Sequence, residues 1–125
     1  MGDTDYESID GQLHLQSLFD LLSKAHMLSV LAEFLIENEP PLRFNQLQAE
    51  LECAPNTLSR RLEELTEGGF LTRRSYDEIP PRVEYEPTAQ LYALEPVFRA
   101  LADWMAAYGE DREFVETMNE LEELP

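Results

Sequence analysis

Residues 43–69 read RFNQLQAELECAPNTLSRRLEELTEGG, and this stretch decides the fold. Leu47 and Leu51 recur at helical spacing in its first half, and Leu58, Leu62 and Leu65 in its second. Asn45 followed by Gln48 has the spacing of a capping box, which predicts a first helix beginning at Asn45. Glu52 to Ala54 form the turn. Pro55 suits the first position of a second helix, where a missing N–H costs nothing. Gly68-Gly69 end that helix, because glycine takes the left-handed C-terminal conformation cheaply. The pattern is that of a helix-turn-helix.

With the leucines turned inward, helical geometry assigns the outer face. Asn56 and Arg60 lie nearly opposite Leu58, with Thr57 and Arg61 on one flank. These four occupy the first two turns, the part of a recognition helix that meets base edges. Glu63, Glu64 and Glu67 fall further along, where a helix leaves the groove. The competing reading pairs Arg60 and Arg61 with those glutamates at i+3 and i+4 on a solvated surface.

Working outward, FLTRRSY (70–76) and RVEYE (82–86) have strand propensity and are separated by Asp77, Glu78, Pro80 and Pro81. A hairpin directly after a recognition helix is a wing. Arg73, Arg74 and Arg82 on it, with Arg43 and Asn45 at the start of the helix-turn-helix, are candidate DNA contacts. Strand alternation puts Arg73 and Arg74 on opposite faces, so at most one is expected to meet DNA, the other pairing with a carboxylate. Tyr76 and Tyr85 are read as hairpin packing.

On the N-terminal side, Leu15, Leu18, Phe19 and Leu22 mark one helix. Met27, Val30, Leu31, Phe34 and Leu35 mark a second, over 26–37, stopped by Asn38, Pro40 and Pro41. On the C-terminal side a stripe through Leu91, Leu94, Val97, Phe98, Leu101, Trp104, Met105 and Tyr108 predicts a helix over 88–108, interrupted or restarted at Pro96. Phe114, Val115, Met118 and Leu121 mark a last helix. The expected architecture is mainly α with a small β-hairpin wing (α+β): an acidic arm over 1–11, an N-terminal helix over 12–25, a winged helix-turn-helix over 26–88, and C-terminal helices over 89–125. The outer helices offer more apolar surface than so small a unit buries alone. A homodimer is the simplest solution, with Leu15, Leu18, Phe19, Leu22, Phe98, Leu101, Trp104, Met105 and Tyr108 as its expected interface.

Charge is the difficulty. The 125 residues carry 26 acids against 9 bases, a formal net charge of -17, and such a surface repels phosphate. The acids are unevenly spread. Residues 41–82 hold six arginines against seven acids, while the rest of the chain holds three bases against nineteen. Lys24 is the one lysine, beside eight arginines. Strong acidity with almost no lysine looks like a protein from a salt-accumulating halophile, its surface carboxylates hydrated by salt cations.

The sequence resembles the HxlR-type winged-helix transcription regulators. The residues that carry this are Arg43 to Leu47, Leu58 to Leu65 and Gly69 to Arg73. Ile79-Pro80-Pro81-Arg82-Val83-Glu84-Tyr85 with Thr88 follows, then Leu94, Pro96-Val97, Leu101 and Trp104. The resemblance covers roughly residues 18–104. It implies a dimeric regulator on double-stranded DNA, with the recognition helix in the major groove and the wing on the backbone. With the halophile-like composition, it implies a haloarchaeal stress regulator. The sequence departs from the family pattern in four places. No cysteine stands near Leu13, so a thiol mechanism based there does not carry over. The usual Gly-Gly-Lys-Trp stretch reads Ser23-Lys24-Ala25-His26. Pro87 stands where leucine is usual, and a glycine expected near Leu91 is absent.

Enzyme constellations are missing: there is no phosphate-cradling glycine loop, nucleophile motif or metal-ligand set, and no cofactor is expected. Cys53, the one cysteine, is read as a small residue filling the turn. No apolar run approaches the ~20 residues of a membrane span, and no leader pattern opens the chain, so the expected location is cytoplasmic. The alternative function is a winged-helix interaction module that does not bind DNA.

Overall fold

The computed structural model describes residues 9–123. Helix α1 runs Ile9–Leu22 and α2 Met27–Ala32, the latter continuing into a π-helical turn over Glu33–Glu37. Strand β1 is Leu42–Arg43, followed by α3, Phe44–Glu50, and α4, Pro55–Glu67. The wing is β2, Leu71–Tyr76, and β3, Arg82–Pro87. Helices α5 (Ala89–Tyr92), α6 (Glu95–Tyr108) and α7 (Arg112–Glu122) complete the chain. The acidic arm expected over 1–11 lies mostly outside the described residues. Its last part, from Ile9, is already helix, since a helix tolerates one glycine at a cost of about 1 kcal/mol.

The core forms where the expected stripes meet. Met27, Val30, Leu31, Phe34 and Leu35 interlock with Leu47 and Leu51 of the α3 region and with Leu58, Leu62 and Leu65 of α4. Leu42 and Leu71 close it from the sheet, and Leu91 and Phe98 from the C-terminal side. Phe98 is only 6% exposed, so this expected interface residue is instead core. The cause is the fresh helix start at Pro96. It turns the first two turns of α6 onto the π-helical segment, while later turns run clear.

The sheet is antiparallel in the order β1-β3-β2. The pair Leu42↔Tyr85 and the pair Leu71↔Pro87 set one face toward the core. The opposite face carries Arg43↔Glu84, Arg74↔Glu84 and Tyr76↔Arg82. Strand β1 was not foreseen, because two residues carry no periodicity. Its effect is to fasten the entry of α3 to the wing.

A second lock joins α4 to α5. Gly69 ends α4 in the left-handed region, at φ 82°, which leaves the carbonyls of 68–70 turned toward α5. The Thr88 hydroxyl donates to the Gly69 carbonyl at 2.6 Å, and Gln90 Nε2 donates to that of Gly68 at 3.2 Å. The wing is thereby closed at its base onto the end of α4.

One buried charge is set against this packing. Glu33, 7% exposed, accepts a 2.7 Å hydrogen bond from Asn38 Nδ2. Burial pushes its carboxyl above the usual range; the Asn38 bond opposes this, and nearby Glu50 and Glu37 add to it. A value raised in the folded chain means that the contribution to stability is full in acid and lost as pH rises through it. Glu33→Gln is therefore expected to raise Tm by a few degrees at pH 7, about 1 kcal/mol, with the gain shrinking toward acid pH. Calorimetry of both proteins across pH checks this; a gain that grows in acid contradicts it.

Candidate nucleic-acid interface

Helix α4 presents its face by exclusion. Leu58, Leu62 and Leu65 are completely buried, so Asn56, Ser59 and Arg60 point to solvent and Thr57 lies half-buried beside them. The helix starts at Pro55, with extended Ala54 before it, as the sequence predicts. The first helix is displaced from expectation. It starts at Phe44, and the Gln46 side chain accepts the Arg43 backbone N–H at 2.9 Å. The capping contact thus falls two residues before the expected Asn45–Gln48 pair, because β1 holds Arg43 extended against Glu84. Asn45 is left exposed in the first turn of α3.

Arg61 does not face the groove side, contrary to the reading that grouped it with Arg60. It is 9% exposed. Its Nε donates to the Ala25 carbonyl at 2.9 Å and its Nη1 to Glu64 at 2.6 Å. The i+3 pairing weighed against DNA contact holds for this arginine and not for Arg60. One step along a helix turns a side chain by about 100°, enough to carry Arg61 from the rim into the junction with α2.

On the wing, Arg73 and Arg74 point to opposite faces and both are exposed, with neither held by a carboxylate. Of the two, Arg74 is the one with carboxylates acting on it: a hydrogen bond to Tyr76 first, then the pull of Glu86 and Glu84, raises its pKa. Beyond Leu71 the hairpin extends past the core, so both of its faces meet solvent. Arg82 is held instead. It stacks 3.9 Å over the Tyr76 ring, pairs with Glu78 at 3.0 Å and lies 3.9 Å from Glu84. That engagement makes Arg82 a brace of the hairpin, not a free phosphate ligand. Arg43 reaches Glu84 at 4.0 Å and stays half exposed. A groove lined by Arg43, Phe44, Asn45, Pro80, Pro81 and Val83 joins the α3 entry to the wing tip.

The distribution of ion pairs separates the cations. Lys24, Arg43, Arg61, Arg82, Arg99 and Arg112 each lie within 4.0 Å of a carboxylate. Arg60, Arg73 and Arg74 do not. In a chain with 26 acids, the three arginines with no carboxylate within 4.0 Å among the described residues all lie on α4 or the wing; of these, Arg74 bonds to Tyr76 and feels Glu86 and Glu84 at longer range. Cys53 is buried and free, its thiol 3.6 Å from the Ala54 carbonyl, filling the turn between α3 and α4. Among the described residues no cluster of histidine, cysteine or carboxylate side chains is placed to hold a metal ion, and no helix is long and apolar enough to cross a membrane.

A second surface lies on the outer helices. Val97, Leu101, Trp104, Met105 and Tyr108 of α6 and Met118 and Leu121 of α7 are exposed. Trp104, Tyr108 and Phe114 form an aromatic cluster with centroids 4.9 to 5.9 Å apart, which joins α6 to α7. On α1, Leu15 and Phe19 are exposed, while Leu18 and Leu22 are half-buried.

A family model described as HxlR-like helix-turn-helix matches residues 21–113. An uncharacterized HTH-type transcriptional regulator of Synechocystis is 36% identical over 96 residues, covering 73% of this chain and 69% of its own. Another from Halalkalibacterium halodurans is 33% identical over 72 residues, 57% of this chain. The match spans 64% of that relative's length, and 56% of the length of a similar regulator from Methanothermobacter thermautotrophicus. Among solved structures, the reduced form of the transcriptional regulator YodB from B. subtilis superposes with a TM-score of 0.63 at 26% identity, covering 78% of this chain and 93% of its own. A protein from Thermoplasma volcanium described as a possible HxlR family transcriptional factor, at 19% identity and a TM-score of 0.63 over 75% of this chain and 83% of its own, shares the fold.

The two neighbouring arginines of α4 are expected to separate in a stability measurement. Arg61→Ala strips Glu64 and the Ala25 carbonyl of a donor and should cost about 2–3 kcal/mol. Arg60→Ala should stay within about 0.5 kcal/mol of the parent. Urea unfolding of the two variants checks the order; equal losses would show that Arg61 is not the structural one.

Proposed function

The chain belongs to the HxlR-like helix-turn-helix family, and from that premise we propose that it is a sequence-specific DNA-binding transcription regulator acting as a homodimer. The observation that carries this reading is that, among the described residues, Arg60 on α4 and Arg73 and Arg74 on the wing have no carboxylate within 4.0 Å, while the other lysine and arginine side chains each have one. Helix α4 enters the major groove by its first two turns. Asn56, Thr57 and Arg60 meet base edges there; arginine offers two parallel donors to guanine, and asparagine a donor and acceptor to adenine. Arg73, Arg74 and the half-exposed Arg43, with Asn45, meet phosphates on either side. These contacts set register and affinity, while the α4 contacts set sequence. Arg61 and Arg82 serve the interface by holding its shape.

The acidic surface sets the salt response. A basic protein releases counterions on binding and weakens steeply with salt. Here carboxylates such as Glu63, Glu67, Glu84 and Glu86 stand near the phosphates, and cations must lie between them. Binding of this kind survives or requires high salt, as suits the cytoplasm of a salt-accumulating halophile. Affinity for a DNA sequence enriched from a random pool should thus hold as KCl rises toward molar. Arg60→Ala should weaken binding to that site about 5- to 100-fold and relax one base position. A steep loss in the KCl series removes the salt reading. Failure of the parent to enrich any sequence removes the regulator reading in favour of an interaction module without DNA binding.

The homodimer reading rests on the exposed apolar face of α6 and α7 and on Leu15 and Phe19 of α1. A contiguous face of this kind on so small a protein marks a partner surface, and a two-fold copy supplies a matching one. Leu101, more than half exposed and outside the core, is the cleanest point to test. Leu101→Glu is expected to shift sedimentation from dimer to monomer while leaving Tm within a few degrees of a similarly dilute parent; an unchanged dimer moves the interface elsewhere.

A further inference from the structure

The junction between α1 and α2, residues 23–26, is tied to α4 by two polar contacts, braced by a third within α4. Lys24 Nζ donates to Glu64 Oε2 at 2.6 Å, Arg61 Nη1 to Glu64 Oε1 at 2.6 Å, and Arg61 Nε to the Ala25 carbonyl at 2.9 Å. Glu64 thus has both carboxylate oxygens engaged, one by its own helix and one by a side chain forty residues away. The chain's one lysine is spent on this contact. The junction itself is a tight reversal: His26 takes a left-handed conformation at φ 67° just before α2 begins.

What the tie controls follows from where the described side chains of α1 meet the core. Leu21 and Leu22, in its last turn, pack against the core, and Leu18 is half-buried. Further back, Leu15 and Phe19 are exposed. The direction of α1 is therefore set near its C-terminal end, where Lys24 and Ala25 meet α4. A helix of 14 residues is about 21 Å long, so a rotation of roughly 10° at the junction moves its far end by 3–4 Å, about one base-pair step.

We propose that Glu64 is a positioning residue: by holding Lys24 and Arg61 together it fixes the angle between α1 and the recognition helix, and so the spacing of DNA half-sites that the dimer accepts. The proposal rests on the regulator reading above and on α1 taking part in the dimer. Glu64 needs no contact with DNA for this. It lies in the second half of α4, behind the residues that meet bases, and acts on them through the helix they share. The burial of Leu58, Leu62 and Leu65 keeps α4 folded against the core whether or not the tie is present. Losing the tie therefore loosens an angle without unfolding a helix.

The test uses the full chain and the DNA sequence the parent enriches, re-synthesised with one or two base pairs added or removed between half-sites. The parent is expected to lose roughly tenfold or more in affinity at a spacing changed by two base pairs. Lys24→Met keeps the length of the side chain without its charge, and Glu64→Gln keeps the shape of the carboxylate. Both are expected to lose less than about threefold at the altered spacings while keeping the parent's oligomeric mass. Lys24→Arg, which restores a donor to Glu64, should discriminate spacings as the parent does. Uniform weakening at every spacing, or a spacing preference unchanged in both variants, overturns the proposal and leaves the regulator reading standing. If the parent enriches no sequence, the regulator reading and this proposal fall together.

Discussion

A helix of thirteen residues has room for one buried stripe, and the stripe on α4 constrains everything around it. Leu58, Leu62 and Leu65 are sealed in the core among α2, α3 and β2, and that rotation settles every other position on the helix. Asn56 and Arg60 are forced outward. Arg61, one residue on, is forced into the junction with α2. Glu64, three residues further, comes to the same junction and closes it. Truncating a leucine of such a stripe costs about 2–5 kcal/mol in cores of this kind. No single charge on the surface of α4 competes with that, so packing selects which charges form the interface.

Electrostatics then acts on what packing leaves. In a chain with this excess of acid, the ordinary fate of an arginine is an ion pair: Arg99 with Glu95 and Arg112 with Glu116 show it on the outer helices. Arg60, Arg73 and Arg74 escape it for geometric reasons. Arg60 is on the face of α4 opposite the core, and although Glu63 and Glu67 follow on the same side one and two turns along, neither comes within 4.0 Å of it. Arg73 and Arg74 stand on a hairpin that projects past the core, with Glu84 drawn toward Arg43 and Arg82. Glu84 comes within 4.0 Å of Arg43 and Arg82 and acts on Arg74, its cross-strand neighbour, only from further away. Around this surface Glu64, Glu78 and Glu84 are ion-paired, while Glu63 and Glu67 have no base within 4.0 Å among the described residues.

The architecture was readable from the chain because its signals are local: the helix-turn-helix spacing, Pro55, the two glycines after α4, the hairpin and the restart at Pro96. The misses share a cause. Strand β1 is two residues long and exists because β3 pairs with it, so the α3 cap moved from Asn45 to Arg43. Arg61 and Arg60 are indistinguishable in a string of letters, and only the angle between α2 and α4 decides which is buried. The same holds for Phe98, whose place in the core depends on how α6 restarts. The contact of Lys24 with Glu64 spans forty residues and leaves no periodic trace. Thr88 and Gln90, which hold the end of α4, carry a weak signal at most: a hydroxyl at the start of a helix invites a capping reading, yet this one reaches back to Gly69.

The ion pairs divide by how they answer to salt, and the division follows function. Pairs along the outer helices, such as Arg112 with Glu116, are open to solvent and contribute little even in dilute buffer. At molar salt, with a Debye length of about 3 Å, they are screened further. The bond between Arg61 and Glu64 is different: the arginine side chain is 11% exposed and the glutamate 22%, so ions reach it poorly. Lys24 favours the charged carboxylate first, through its hydrogen bond; burial opposes this, and Arg61 adds to the lowering. A carboxyl held below its usual value adds stability above the ordinary carboxylate range and loses it only as pH falls through the depressed value. Concentrated salt therefore spares the Arg61–Glu64 contact while weakening the pairs on the outer helices. Salts that are excluded from protein surfaces strengthen apolar burial at the same time, and with it the core under α4 and the exposed faces of α1, α6 and α7. The contacts that hold α4 in place are thus those that ionic strength harms least.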